Sequence, residues 1–414
     1  MKMYNVITIA AIFVVAALAV IPGCKYDVVE PKWYTDPATT TTPQITSVTP
    51  ANEAAPGVNT ITIQGVNFGP DASSNFVYFG STLAEIKSAS TTQIVVYRPN
   101  LVADSSMVKV SPTTTYNVTN SVGPYKIDNV IGRYGSILDN LQLNAVAIDT
   151  AENLYVIKGI TPFTVYKITP AGVKTTVGAV TKSVFGPLDA KIGPDGNLYY
   201  MGGGTSYILP GSGGGKVVGM FNIQTGTDSS WYTGTKYLTS FDFAANGYIY
   251  AGGNKSSLLV IRPNKSIRLE ATLYAADTIF GIRVFGTNLY VAAGSSTSPQ
   301  RAIWCHSLTD TSVVGTKTPF FDLSTTEYAY RTLRSISFSA DGSKMYLGFN
   351  SPNPILVVDV ATKNSEILYK GIIPDYCRHF CFGNMLYMIS GSASSAVAWD
   401  VYRVDVGTSG APYY

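Results

Sequence analysis

The chain has 414 residues, of which 46% are hydrophobic and 13% charged, so it can form more than one hydrophobic core and is not a disordered chain. Its 29 Lys and Arg nearly balance its 26 Asp and Glu, which leaves no basic surface of the kind that nucleic acid requires. We therefore expect a folded protein without a nucleic-acid partner.

Residues 1–23 have the pattern of an export signal. A short segment with one Lys precedes the apolar run 6–20, which ends shortly before IPGC and Cys24. This run is shorter than the roughly 20 residues that a membrane-spanning helix needs, although a transmembrane anchor remains the alternative. The cysteine after the run resembles the bacterial lipoprotein box. That resemblance implies a lipid on Cys24 and a protein of the cell envelope, anchored in the outer membrane and exposed at the surface.

Residues 24–43 are rich in Pro and Thr and predict an extended spacer. Short β-type runs separated by turn residues follow over 44–127 and predict a small antiparallel sandwich. This segment resembles the IPT/TIG family of immunoglobulin-like domains, through the opening motif at Ile45–Pro50, the core strand at Ile61–Gly69 and the strand at Val77–Gly80.

One unit recurs over residues 128–414. Each copy has an alternating strand, a short turn, an apolar-Tyr strand and a loop rich in Gly, Ser and Asn. The tyrosines of this unit are Tyr155, Tyr199, Tyr250, Tyr290, Tyr346 and Tyr387. Their spacing of about 46 residues is typical of four-stranded propeller blades and predicts a six-bladed β-propeller. The units resemble NHL repeats, whose P-D-G-N-L-Y-V core is similar to Pro194–Tyr200. We therefore predict an all-β protein, an Ig-like β-sandwich followed by a six-bladed propeller.

The last unit lacks its outermost strand, because little apolar sequence follows Val406. The segment KIDNVIG, residues 126–132, precedes the first unit and has the pattern of a strand. We predict that this segment pairs with the last blade and closes the ring, which removes two open sheet edges.

The glycine clusters at 193–204 and 211–216 do not predict a nucleotide site. A phosphate-binding loop needs G-x-x-x-x-G-K-[ST] between a strand and a helix, whereas Val217 follows the Lys and no helical period follows. Hairpin turns and loops account for these glycines, so no cofactor is expected.

Three cysteines follow Cys24, which does not indicate a disulfide framework. Cys377 and Cys381 flank His379, but residues four apart on a strand lie about 13 Å apart, too far to share one tetrahedral zinc ion. Aligning HFCFG with IRVFG places His379 opposite Ile282. We interpret this residue and His306 mainly as structural strand residues.

Propeller enzymes indicate what a catalytic centre would require. Lactonases and phosphotriesterases of this fold hold calcium with Glu, Asn and Asp, and amidating lyases hold zinc with several His. The residues expected around the channel are Asn144, Asp189, Thr239, Gly281, Arg334 and Arg378. The arginines among these residues favour the binding of an anion over that of a divalent cation, so no metal is expected. A lyase or hydrolase acting on a carbohydrate or lactone stays open as an alternative.

Aromatic and polar side chains predicted on the loops of one propeller face favour a binding surface. The candidate ligand contacts are Trp231, Tyr237, Tyr330, Arg331, Arg334, Arg378 and His379. Flat aromatic rings beside hydrogen-bond donors suit sugars. The order of lipid tether, Ig-like spacer and terminal module resembles surface glycan-binding lipoproteins of the Bacteroidota. We therefore expect non-catalytic glycan binding by the propeller, with an adhesion or interaction scaffold for envelope proteins as a further alternative.

Overall fold

The structure is a computed structural model. It describes residues 42–113, 117–135, 142–183, 186–202, 215–253, 258–295, 299–309, 313–391 and 399–413. The predicted signal segment, Cys24, the spacer up to residue 41 and the GSGGGK loop up to residue 214 lie outside the described residues. Among the residues described, no helix is long and apolar enough to cross a membrane.

The first domain is a sandwich of two sheets. Its strands are β1 (Gln44–Thr49), β2 (Glu53–Ala54), β3 (Thr60–Val66), β4 (Asn75–Phe79), β5 (Thr82–Ala84), β6 (Ile86–Ala89), β7 (Gln93–Tyr97), β8 (Ala103–Pro112) and β9 (Val122–Ile127). One sheet has the order β1-β3-β7-β6 and the other β2-β9-β8-β4-β5. Alternate side chains such as Ile63, Val77 and Ile94 point inward and form the core between the sheets.

Six four-stranded sheets follow as propeller blades. After β10 (Ile131–Arg133), blade 1 has β11 (Leu143–Ile148), β12 (Leu154–Lys158), β13 (Phe163–Ile168) and β14 (Lys174–Val180), blade 2 has β15 (Ala190–Ile192), β16 (Leu198–Met201), β17 (Gly215–Asn222) and β18 (Thr227–Leu238), and blade 3 has β19 (Ser240–Phe243), β20 (Ile249–Gly252), β21 (Leu258–Ile261) and β22 (Ile267–Glu270). Blade 4 has β23 (Thr278–Phe285), β24 (Asn288–Gly294), β25 (Arg301–Ser307) and β26 (Thr318–Asp322), blade 5 has β27 (Leu333–Phe338), β28 (Lys344–Phe349), β29 (Ile355–Asp359) and β30 (Ser365–Ile367), and blade 6 has β31 (Cys377–Phe382), β32 (Leu386–Ser390) and β33 (Asp400–Val404). The predicted all-β class, with a sandwich and a six-bladed propeller, is confirmed.

The recurring tyrosines lie on the second strand of each blade. In blade 1 the Tyr155 hydroxyl donates to Asp149 at 3.2 Å, and in blade 2 Tyr199 donates to Asp195 at 2.9 Å. Each aspartate lies in the hairpin turn before its tyrosine. The repeated motif is therefore a buried ring, and in blades 1 and 2 its hydroxyl also stabilises the preceding turn.

The segment before blade 1 pairs with the last blade and closes the ring, as the sequence predicts. The pairing strand is shorter than the predicted segment 126–132. Strand β10 pairs with β33, with Ile131 opposite Val404 and Arg133 opposite Tyr402. Lys126 and Ile127, which begin the predicted closing segment, instead end β9 of the sandwich. Blade 6 is thus built from both ends of the propeller sequence.

The C-terminal tail, residues 409–413, lies at one end of the channel. This is the end at which hairpins join the first and second strands of each blade. There the fully buried Arg283 pairs with Asp242 at 2.9 Å and donates to the carbonyl oxygens of Ala411 and Pro412 at 3.0 and 2.6 Å. The guanidinium also lies 4.2 Å from the Tyr413 ring centroid. The tail therefore packs against a buried ion pair and covers this end.

The sandwich docks on the propeller through Tyr369, whose side chain is fully buried. Its hydroxyl accepts from the Gly57 N–H at 2.5 Å and donates to the Asp405 carbonyl oxygen at 2.6 Å. Its own N–H donates to Asn59 Oδ1 at 3.1 Å, and the Arg98 guanidinium lies 5.6 Å from its ring centroid. One residue thus connects the two domains by hydrogen bonds and packing.

Both histidines are buried in the propeller and are neutral. His306 Nδ1 lies 3.0 Å from the Gly315 carbonyl oxygen and must donate to it, so Nε2 accepts from the Tyr274 hydroxyl at 2.7 Å. His379 Nδ1 accepts the Val146 N–H at 3.2 Å, so Nε2 carries the proton and donates to a carboxylate. Burial lowers the pKa of both imidazoles.

We predict that the protein loses stability as the pH falls from about 7.5 to about 5.5. Because both folded-state pKa values lie below the value of about 6.5 for an exposed histidine, the unfolded chain binds more protons in this range. The free energy of unfolding should therefore decrease towards pH 5.5. Urea unfolding of the chain without residues 1–24, at several pH values, measures this.

The variant His379→Asn tests the cause. Its Oδ1 can still accept the Val146 N–H, but the side chain cannot be protonated, so stability should depend less on pH than in the wild type. Equal pH dependence in the two proteins would contradict this account.

Candidate functional site

The innermost strands of all six blades begin at the same end of the propeller, which we call the upper face. The loops that lead into these strands and the loops that join second to third strands also lie there. The C-terminal tail lies at the opposite end. Since ligands of propellers meet the face that such loops form, the upper face is where a site is expected.

Strand pairing aligns the blades residue by residue. The residue before each recurring tyrosine pairs with a residue of the innermost strand, as Leu154 pairs with Ile148 in blade 1, and three residues before that partner is a position that we call the ring position. It is occupied by Ala145, Asp189, Ser240, Gly281, Ser335 and His379. The alignment of His379 with Ile282 is therefore wrong by one residue, because three residues separate the paired Phe382 and Leu386, whereas four separate the paired Val284 and Leu289 of blade 4.

Acceptor side chains at the ring position connect neighbouring blades. The N–H groups they accept come from the innermost strand of the next blade: Phe241 to Asp189 at 3.2 Å, Ile282 to Ser240 at 3.1 Å, Phe380 to Ser335 at 2.9 Å, and Val146 to His379 at 3.2 Å. These bonds satisfy buried backbone donors and fix the spacing of the innermost strands. His379 is 3% exposed and both of its ring nitrogens are hydrogen-bonded, so it offers no free nitrogen to a ligand.

Asp189 is the central acceptor of the channel. Lys191 Nζ lies 2.8 and 3.0 Å from its two oxygens, His379 Nε2 donates at 3.0 Å and Ser240 Oγ at 2.8 Å. Burial alone raises the pKa of Asp189, but Lys191 and His379 outweigh it and hold that pKa well below its usual range. The carboxylate is ionised and its oxygens are saturated with donors, so it has no lone pair for a metal or a substrate proton.

The residue before the ring position lies one residue closer to the upper face, and we call it the rim position. It is occupied by Asn144, Leu188, Thr239, Phe280, Arg334 and Arg378. In blades 1, 4, 5 and 6 the strand register shifts at this residue, as at a β-bulge, which redirects its side chain. Arg334 lines the channel cavity, and Arg378 Nη2 lies 3.4 Å from Asn144 Oδ1.

Two of the residues expected around the channel do not occupy the rim position. Asp189 and Gly281 occupy the ring position, one residue further into the channel than Arg334 and Arg378. The two predicted arginines occupy the rim position of neighbouring blades. In the described part of the chain no cluster of three or more His, Cys, Asp and Glu could hold a metal ion.

A cleft of about 280 Å³ opens on the upper face between blades 4 and 5. Its aromatic residues are Phe280, which is partly buried, and Tyr330, which is 88% exposed. The Arg301 guanidinium lies 5.0 Å from the Phe280 ring centroid and donates to the Arg331 carbonyl oxygen. Burial lowers the pKa of Arg301, but a guanidinium stays charged at neutral pH.

Polar side chains complete this cleft. They are Thr278, Ser295, Gln300 and Ser324. The cleft therefore combines flat apolar surfaces, a cation and several hydroxyl and amide groups in a volume that suits a small ring or one unit of a chain.

The remaining predicted contacts lie apart from this cleft. Trp231 and Tyr237 lie on β18, the outermost strand of blade 2, and not in a loop as their pattern suggested. The Trp231 ring packs edge-on against Tyr199 at 5.7 Å, between blades 2 and 3. Arg331 follows Tyr330 and is exposed, but of the predicted contacts Tyr330 is the one that lines the cleft.

Sequence reasoning missed Phe280 and Arg301. Phe280 occupies the rim position of blade 4, as Arg334 does in blade 5, but the register shift that reveals this is not visible as a period in the sequence. Arg301 begins β25 and reaches the cleft by packing on Phe280. A blade alignment based on hairpin pairing could have found the first residue but not the second.

One family model matches part of this chain, and several solved structures are similar to it. The family model for the IPT/TIG domain matches residues 43–127, and no curated protein matches the chain. An auxiliary nutrient binding protein from Bacteroides thetaiotaomicron has a TM-score of 0.51 and 11% identity, over 90% of this chain and 99% of that chain. An auxiliary nutrient binding protein from Bacteroides ovatus has a TM-score of 0.50 and 11% identity, over 91% and 99%.

A third solved structure, a protein of unknown function from Bacteroides thetaiotaomicron, has a TM-score of 0.48 and 12% identity over 90% of this chain and 98% of that chain. At such low identities the likeness shows the fold alone. Residues 43–127 are an IPT/TIG domain, and the described residues that follow them form a six-bladed β-propeller.

Proposed function

We propose that this protein is a non-catalytic glycan-binding protein of the bacterial cell envelope, and that its propeller binds the glycan at the cleft between blades 4 and 5. The observation that carries the proposal is the pairing of Phe280 and Tyr330 with polar groups in one open cleft. A sugar presents apolar C–H groups on its faces and hydroxyl groups around its edge. Aromatic rings stack on the faces, and Arg, Ser, Thr and Gln side chains bind the edge.

The exposure of Tyr330 supports this assignment. Its side chain is 88% exposed, so the face of its ring is accessible to a ligand, and tyrosine is among the residues enriched at binding hot spots. The two auxiliary nutrient binding proteins also support a binding role, because their fold is similar to that of this chain over 90% and 91% of its length.

The alternative of a lyase or hydrolase has less support in the channel. Asp189 is the one carboxylate among the described residues that line the channel cavity, and five donor contacts already saturate its oxygens. A general base needs a free lone pair near the substrate, and a catalytic metal needs free ligands. The scaffold alternative predicts a protein partner and no affinity for sugar.

The lipid anchor belongs to the same proposal. A lipid on Cys24 would hold the protein on the outer membrane, and the spacer 24–43 would separate the folded domains from the membrane. Because Tyr369 docks the sandwich on the propeller, the two domains would project from the membrane as one unit.

We predict that Tyr330→Ala weakens glycan binding. Loss of one stacking surface should raise the dissociation constant about tenfold, which corresponds to about 1.4 kcal/mol. The chain without residues 1–24 is first screened on a panel of polysaccharides, and the variant is then titrated with the retained glycan in a calorimeter. Because Tyr330 is exposed, its replacement should leave the fold intact.

Tyr237→Ala is the matched control, because it removes another exposed tyrosine, on blade 2. The proposal expects unchanged affinity in this control. Wild-type affinity in Tyr330→Ala, or an equal loss in both variants, would count against the cleft. Metal-dependent turnover of a carbohydrate or lactone, with retention on no polysaccharide, would favour the enzyme.

We predict that Cys24→Ala releases the protein from the membrane. Without the thiol no acyl chains can be attached, so the protein should move from the membrane fraction to the soluble fraction of lysed cells. Immunoblotting of the two fractions measures this, with Cys305→Ala as the control that stays with the membrane. Retention of Cys24→Ala in the membrane would instead support an anchor formed by the apolar run 6–20.

A further inference from the structure

A second concavity lies between the sandwich and the outermost strands of blades 4 and 5, and we call it the groove. Its volume is about 390 Å³, larger than that of the cleft. From the sandwich, Lys87 of β6 and Tyr97 of β7 line the groove. From the propeller, β30 and residues 325–328 line it. Ligand sites of proteins occur preferentially at such junctions of two domains.

The groove combines apolar and polar surfaces, as the cleft does. Three of the side chains that line it are large, apolar and buried: Phe321, Tyr328 and Leu356. Exposed polar residues line it as well: Lys87, Thr325, Glu327, Lys363, Asn364 and Ser365. Apolar surface beside hydroxyl, amide and charged groups suits the faces and edges of sugar units.

Contacts between the domains hold the two walls of the groove in place. Asn59 Nδ2 of the sandwich donates to Oε1 of Glu366 at 2.8 Å, and Glu366 itself lines the groove on β30. Lys370 of the propeller forms an ion pair with Glu85 of the sandwich. With Tyr369 buried between the domains, these contacts preform the groove, so a ligand can enter it without ordering the domains first.

One short segment separates the groove from the cleft. The cleft is lined by Ser324, Ala329 and Tyr330 of this segment, and the groove by residues 325–328. Ser324 and Thr325 are consecutive, so their Cα atoms are about 3.8 Å apart. The two concavities therefore meet across a single peptide bond.

This separating segment is held in a fixed shape. The Tyr328 ring stacks on the Phe349 ring with 4.4 Å between centroids, and the Tyr328 hydroxyl donates to the Asn353 carbonyl oxygen. The Ser324 N–H donates to Asp322 Oδ1 at 2.8 Å. A chain molecule that leaves the cleft at this point would therefore meet a preformed crossing and enter the groove.

We propose that the protein recognises a glycan chain of several units: one unit occupies the cleft, the chain crosses residues 324–325, and further units occupy the groove. The sandwich then contributes directly to binding through Lys87 and Tyr97, besides separating the propeller from the membrane. The proposal rests on the glycan-binding function proposed above and extends it to a second site.

The first experiment measures affinity against chain length. The polysaccharide retained in the screen is cut by partial acid hydrolysis, and the oligosaccharides are separated by length. Each is titrated in a calorimeter into the chain without residues 1–24. The dissociation constant should fall at least about tenfold once the oligosaccharide is long enough to cross residues 324–325, because the second site then binds the same molecule.

Variants then test whether this gain arises in the groove. Tyr97→Ala removes part of the sandwich wall, and Ser365→Trp adds a large side chain at an exposed position in the groove. Each should reduce the gain with length at least about fivefold. Each should leave the affinity for the shortest oligosaccharide unchanged, which also shows that the variant is folded. Tyr78→Ala is the matched control, because it removes another partly exposed tyrosine of the sandwich, on β4 of the other sheet.

Three outcomes separate the two proposals. A gain with length that both groove variants lose and Tyr78→Ala keeps supports the second site. Affinity that does not depend on length, a gain that survives in either groove variant, or an equal loss in Tyr78→Ala overturns the second site and leaves glycan binding at the cleft in place. Retention on no polysaccharide overturns both proposals.

Discussion

The buried carboxylate of Asp189 holds the centre of the propeller together. It accepts hydrogen bonds from Lys191 of its own blade, from Ser240 and Phe241 of blade 3 and from His379 of blade 6. An ionised group in this environment is stable only because Lys191 compensates its charge and other donors satisfy its remaining lone pairs. With the bonds at the other ring positions, this arrangement sets how closely the innermost strands approach.

This constraint decides where a function can reside. The polar side chains inside the channel take part in structural hydrogen bonds and ion pairs. Asp189 forms one such group, and Arg283 and Asp242 form another with the C-terminal tail. The sandwich is held by Tyr369 at the side of the propeller. The upper face remains, where the cleft between blades 4 and 5 opens.

The sequence was informative wherever a residue type has one dominant physical role. The repeated tyrosines and turns predicted the blades, and the apolar strand ahead of them predicted the closing pair of β10 and β33. It was uninformative where a turn length or a bulge decides which way a side chain points. His379 was therefore aligned one residue too far along, Phe280 was missed, and Trp231 and Tyr237 were assigned to a loop although β18 carries them. Nor could a short tail such as 409–413 reveal that it packs against Arg283.

Hydrogen–deuterium exchange with and without the retained glycan tests most directly whether the upper face of blades 4 and 5 is the binding surface. The account predicts slower exchange on binding in peptides that contain Phe280, Arg301 and Tyr330, and unchanged exchange along β4 and β8 of the sandwich. Protection in the sandwich or along β18 of blade 2, with none in the peptides of the cleft, would contradict it.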